Sequence, residues 1–230
     1  MKKSFLSRIA ASAVVLAATV GLAIASSGGA GMSADEALQK LLDGNKRYVE
    51  NKLGACAATD TAAREKLAKT QHPYAIILSC SDSRVPPELI FDKSLGEIFV
   101  VRVAGNVSDP VIIGSIEYAA EHLGSPLIMV LGHERCGAVT AAVDNYGKVV
   151  EGNIGAIVRE LQPAVKKAKA MRRNADKADL VEECVTINAK QVAQKLTKRS
   201  KVLAELVKEG KLKIVSAKYD LDDGKVELIK

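Results

Sequence analysis

Two short clusters hold the side chains best suited to chemistry: Cys80-Ser81-Asp82-Ser83-Arg84 and His133-Glu134-Arg135-Cys136. Together they offer two thiols, one imidazole and one carboxylate. Those are the donor types that Zn²⁺ takes, usually four at a time in a tetrahedron. The clusters lie too far apart for a zinc finger, whose ligand pairs sit close together in a small module. A metal here would join two units of a larger core. Two Cys and one His, with an Asp that either binds or lets go, form a donor set suited to catalysis. Taken alone, Cys80 at a strand end would more often be a small buried residue than a ligand. The company of Asp82, His133 and Cys136 is what favours the metal.

Asp82 and Arg84 are two apart on a segment that reads as extended, so their side chains point the same way and a two-pronged ion pair is natural. If Arg84 holds Asp82, the carboxylate is withheld from the metal and the fourth position is open to water. Zinc lowers the pKa of such a water to about 7. If Asp82 swings onto the metal, the site closes. Cys136 stands just before a predicted helix, where backbone N–H groups and the helix dipole favour thiolate. Gly132 and Gly137 flank the second cluster and let the backbone pass close to a metal.

The elements that must position these residues are legible around them. Ala75-Ile76-Ile77-Leu78 precedes the first cluster and Leu127-Ile128-Met129-Val130-Leu131 the second, each reading as a buried strand. Ligands at the ends of two strands converge where open α/β sheets place their active sites. A helix is expected over 34–51, with Ser33 as N-cap and Glu36 completing a capping box. Its apolar stripe is Leu38, Leu41, Leu42, Tyr48 and Val49. A short helix follows over 61–69, and another opens at Pro86-Pro87, since Pro is tolerated in a first helical turn. A second strand covers 98–103 and ends at Ala104-Gly105-Asn106. Asp109-Pro110 opens a helix that runs to His122 and is closed by Gly124. Further helices are expected at 137–143, 154–170, 179–196 and 202–209, and strands at 212–217 and 226–229. Strands alternating with helices imply right-handed crossovers. The fold class is therefore α/β: a mostly parallel central sheet of four to five strands flanked by helices, with an N-terminal helical arm and an antiparallel last strand at the edge.

The 230 residues amount to one domain behind an N-terminal leader. Lys2, Lys3 and Arg8 form a basic start, residues 9–25 are uncharged and rich in Ala, Val and Leu, and Ala23-Ile24-Ala25 gives an A-x-A cleavage site. That is the pattern of a secretory signal peptide. The competing reading is an uncleaved anchor, but the run is near the lower length limit for a spanning helix. The chain thus divides into a signal peptide (1–25), a flexible N-terminus (26–33) and a catalytic domain (34–230), exported to the periplasm or secreted. No second apolar run approaches spanning length, so no stable membrane insertion is expected after cleavage. Removing residues 1–25 takes away three basic groups and no acid, so the net charge falls from +6 to +3. That balance gives no reason to expect nucleic acid. The basic run Lys166, Lys167, Lys169, Arg172, Arg173 has no interleaved aromatics and reads as a solvated helix face. Cys56 and Cys184 leave two readings open: a disulfide, which an oxidising compartment permits, or two small, partly buried residues.

The two clusters carry a resemblance. CSDSRVPPE at 80–88 and GHERCGAV at 132–139 look like the two signatures of the β-class carbonic anhydrases. FVVRVAGN at 99–106 and GSIEYAAEHLG at 114–124 resemble the segments found between those signatures, and the similarity runs from about Ala34 to the C-terminus. The resemblance implies one Zn²⁺ per chain on Cys80, His133 and Cys136, with an Asp82–Arg84 dyad beside it. It implies reversible hydration of carbon dioxide to bicarbonate and a proton, by attack of zinc-bound hydroxide. In the plant-type branch a Gln, a Phe and a Tyr line the substrate pocket; Gln71, Phe99 and Tyr118 match by offset, and backbone N–H groups near Gly105 would assist. The other branch uses a Trp-containing bicarbonate pocket for control, and this chain has no Trp. A homodimer or higher homo-oligomer is implied, with the pocket near a subunit boundary. Two other functions compete: a related zinc hydrolase acting on carbonyl sulfide or carbon disulfide, and a non-catalytic protein in which zinc only staples the fold. A purely structural site would have no need of a switchable carboxylate.

Overall fold

The computed structural model describes residues 31–54 and 59–230; the leader and Cys56 lie outside the described residues. Its centre is a sheet of five strands in the order β2-β1-β3-β4-β5. The strands are β1 (Ala75–Ser79), β2 (Ile98–Arg102), β3 (Leu127–His133), β4 (Lys213–Tyr219) and β5 (Val226–Leu228). Pairing is parallel from β2 through β4, and β5 joins antiparallel after the turn at Asp223-Gly224. Every residue of β1 and β3 is buried. That is why these strands read as continuous apolar runs, since a parallel sheet is covered on both faces.

The helices are α1 (Ala34–Val49), α2 (Thr61–Leu67), α3 (Pro87–Ile90), α4 (Pro110–Glu117), α5 (Gly137–Asp144), α6 (Ile154–Met171), α7 (Lys177–Arg199) and α8 (Lys201–Lys208). A five-residue π-type turn extends α4 to His122. One core layer packs Ile77, Met129 and Leu131 against residues of α1, α5, α6 and α7. The other packs Ile76, Leu78, Ile128 and Val130 against α4, its π-type extension, the second half of α7, and α8. Alternate residues of one strand thus feed opposite layers, as the pleat requires. Among the described residues, no helix is long and apolar enough to cross a membrane.

The capping signals were read correctly. Ser33 and Glu36 exchange both bonds of the capping box, at 3.2 Å and 2.7 Å. Asp109 accepts the Ile112 N–H at 2.8 Å, with Pro110 in the first turn behind it.

On α1, Ala37 and Leu41 are fully buried in the chain's own core, while Leu38, Leu42, Tyr48 and Val49 are half-buried. The reason is a set of polar anchors on the same helix. Asn45 donates to the carbonyls of Ile90 (3.2 Å) and Gly224 (2.8 Å) and accepts from the Val226 N–H (2.9 Å). Arg47 meets the buried Asp92 at 2.6 Å, and the hydroxyls of Tyr48 and Tyr219 lie 3.1 Å apart.

Candidate metal centre

The parallel strands β1 and β3 are neighbours, with Ser79 beside Leu131. Strand order reverses here, because the chain goes from β1 outward to β2 and then crosses back to β3. A crevice therefore opens beyond their carboxyl ends. Cys80 leaves β1 into it and His133 is the last residue of β3. Cys136 is the N-cap of α5, which turns its side chain back toward β1. The Cys80 and Cys136 sulfurs and a His133 ring nitrogen all lie within 4.8 Å of one another, and all three residues are buried.

Three observations show that these donors fit a metal. His133 Nδ1 lies 2.8 Å from the Glu134 carbonyl. A carbonyl cannot donate, so Nδ1 carries the proton and Nε2 presents a lone pair. Second, Nε2 is buried and has no hydrogen-bond partner, a costly state unless a ligand completes it. Third, two thiolates with an imidazole are the soft and borderline donors that suit zinc. The thiols also polarise each other. Hydrogen bonding from Cys136 outweighs burial and pulls Cys80 down to about 4, helped by the Gly105 N–H. The neighbouring Cys80 thiolate pushes Cys136 up. Backbone N–H groups of Val139 and Ala138 at the start of α5 draw Cys136 the other way, toward thiolate.

Asp82 is held as the spacing required. Arg84 Nε donates to Oδ1 at 2.9 Å and Nη2 to Oδ2 at 2.8 Å, while the Arg84 backbone N–H reaches Oδ1 at 3.0 Å. The Arg84 hydrogen bond, above all, holds the Asp82 carboxyl well below the usual carboxylate range. Oδ2 stands 3.9 Å from His133 Nε2, beside the donors and not hydrogen-bonded to that nitrogen.

Gly105 belongs to the centre. Its N–H donates to Cys80 Sγ at 3.3 Å and its carbonyl accepts from Asn188 Nδ2 at 2.9 Å. Its φ is +71°, and a Cβ there would stand 3.1 Å from Leu161 Cδ1 and 3.2 Å from Ala138 Cβ. Only glycine suits both the backbone and the space.

The expected substrate residues lie elsewhere in a single chain. Phe99 follows the period of β2 onto the layer of Ile76, its register partner, with its ring 6.3 Å from that of Tyr118. Tyr118 is 47% exposed. Gln71 is exposed and borders a surface depression with Arg64, Leu67 and Gly96. None of the three joins the Cys80–His133–Cys136 crevice within one chain, because they sit on the far layer or at the amino-terminal edge of the sheet. Cys184 is fully buried in α7, and Cys56, the other half of the expected pair, lies outside the described residues. Asn106-Val107-Ser108 fits a glycosylation sequon, and both its polar residues are buried.

Arg102 escaped the sequence reading. From the end of β2 its Nε donates to the Cys80 carbonyl (2.9 Å) and its Nη2 to the Asp82 carbonyl (2.7 Å), pinning the backbone on both sides of Ser81. The available signal was a cation inside the apolar run Phe99-Val100-Val101-Arg102-Val103.

Comparison with known proteins agrees with this geometry. The family model described as "Carbonic anhydrase" matches residues 75–226. Carbonic anhydrase 2 of Mycobacterium tuberculosis is 39% identical over 194 residues, covering 84% of this chain and 91% of that protein. A carbonic anhydrase of Mycolicibacterium smegmatis is 39% identical over 197 residues, with the same two coverages, 84% and 91%. Among solved structures, the β-carbonic anhydrase CafA of Aspergillus fumigatus superposes with a TM-score of 0.69 at 26% identity, covering 84% of this chain and 90% of that one. The Coccomyxa β-carbonic anhydrase in complex with acetazolamide gives 0.69 at 26%, covering 84% and 86%. The chain belongs to the carbonic anhydrase family. Within that family it is of the β class.

Proposed function

We propose that this chain hydrates carbon dioxide reversibly with a zinc ion held by Cys80, His133 and Cys136. The observation that carries the reading is Asp82, gripped through both oxygens by Arg84 at the mouth of a buried two-thiol, one-imidazole cluster. When bound, zinc supplies a Lewis acid that brings a coordinated water's pKa to about 7. The chain's own residues do the rest. Arg84 keeps Asp82 ionised and off the metal. Asp82 accepts a hydrogen bond from the attacking water and so aims its lone pair at the substrate. The Gly105 N–H stabilises the Cys80 thiolate, and the Glu134 carbonyl fixes the His133 tautomer. A structural zinc site would not keep an ionised carboxylate beside its donors.

The reading extends to assembly and address. Tyr118 and Val111 are exposed beside the edge strand β2. A second copy covering that face would account for a substrate pocket containing Phe99, Tyr118 and Gln71. The leader motif supports export, with the mature chain starting near Ser26. Stopped-flow hydration of carbon dioxide, with zinc quantified in the same sample, tests the function. Activity should require about one zinc per chain and vanish with a chelator. Full activity in zinc-free protein, or one zinc per chain with no hydration, would refute it.

A further inference from the structure

Only Glu134 and Arg135 separate two of the metal donors, so the chain must turn sharply between them. It does so at Arg135, which stands at φ +49° without being glycine. A side chain in that left-handed region is unfavourable unless its surroundings hold it there. The surroundings grip Arg135 at both ends. Its backbone N–H donates to Glu182 Oε1 of α7 at 2.8 Å. Its guanidinium makes two bonds of 2.9 Å to Asp222 in the β4–β5 turn.

The helix that carries Glu182 is itself set close to the centre. A Cβ on Gly132 would come within 3.0 Å of Val185 Cγ1 and 3.5 Å of Ala189 Cβ, so glycine lets α7 lie directly on the end of β3. Glu182, Val185, Asn188 and Ala189 share one helical stripe, by their three- and four-residue spacing. Asn188 on that stripe holds Gly105, whose N–H touches Cys80. Lys218 Nζ lies 3.3 Å from Glu134 and 3.6 Å from Glu182, which offsets the repulsion between the two acids.

We propose that Glu182 is a positioning residue for the metal centre. Its carboxylate holds Arg135 in the left-handed turn that lets His133 and Cys136 face one ion. This rests on the zinc reading above. It differs from an ordinary surface contact because the bond is to a backbone N–H whose placement fixes the donor loop. The Arg135 side chain is secondary, since its partner Asp222 is exposed.

The test uses full-length protein loaded with zinc. Zinc dissociation constants come from competition with a chromophoric chelator, and kcat and KM from carbon dioxide hydration. Urea midpoints separate folding from metal binding. Glu182→Ala should weaken zinc about tenfold or more, the range seen when partners of metal ligands are lost. Glu182→Gln should stay within about twofold, because the amide oxygen still accepts the N–H. Adding Arg135→Gly to Glu182→Ala should recover most of the zinc affinity, because glycine adopts φ above zero freely. Unchanged zinc affinity in Glu182→Ala, or no recovery in the double variant, would overturn the proposal. If Glu182→Ala does not fold, Glu182→Gln decides: affinity near that of the parent supports the proposal, and a tenfold loss overturns it. A parent protein that binds no zinc would instead refute the metal reading itself.

Discussion

At the residue scale, the proposed mechanism turns on the Asp82–Arg84 pair. Replacing Arg84 with Ala should cut hydration by tenfold or more while zinc stays near one per chain, because Asp82 is then free to take the open position. Normal turnover in that variant would contradict the dyad. Titration gives a second expectation. The folded pKa of Asp82 is depressed, so its bond to Arg84 stabilises the native state above the unfolded value of about 3.9. That contribution is lost only as the pH falls through the lower, folded pKa. Carboxyl NMR shifts should therefore show Asp82 ionised at about pH 4, where free aspartates are half protonated.

Legibility also divides at this scale. The donors could be read because thiols, an imidazole and a carboxylate after apolar runs are rare and chemically specific. The residues that hold them were harder. Arg102, Asn188 and Glu182 act on backbone groups 20 to 83 residues away in sequence. A backbone acceptor or donor leaves no complementary side chain to find.

At the scale of elements, hydrophobic period and caps were sufficient. The strand runs, the Ser33 box and the Asp109-Pro110 start all appear where expected. What covers the α1 stripe is not legible, because an amphipathic stripe says that a face is covered and not by what. Its docking is testable. Leu41 is fully buried, so Leu41→Ala should cost about 2–5 kcal/mol in urea unfolding. A loss below about 1 kcal/mol would mean that α1 does not stay on this core.

At the scale of the whole molecule, the two edges of the sheet differ. β5 ends it with three residues, whereas β2 is a full parallel strand at the opposite edge. Long open edges invite a further strand or a second copy. Sedimentation at micromolar concentration should find at least a dimer, and an active monomer would remove the proposed shared pocket. Intact mass of exported protein should correspond to a start near Ser26; a mass retaining residues 1–25 would end the export proposal.

The triple bonding of Asn45 has a kinetic consequence. It links α1, near the start of the domain, to Gly224 and Val226, across 179 and 181 residues. During synthesis the bonds to Gly224 and Val226 form only after the last strand has left the ribosome. Contacts of such separation slow folding, because loop closure precedes any gain from them. Nascent chains stalled before Lys218 should show α1 open to protease, and chains released after Lys230 should show it protected. Protection of α1 in the stalled chains would mean that the helix docks without its C-terminal partner.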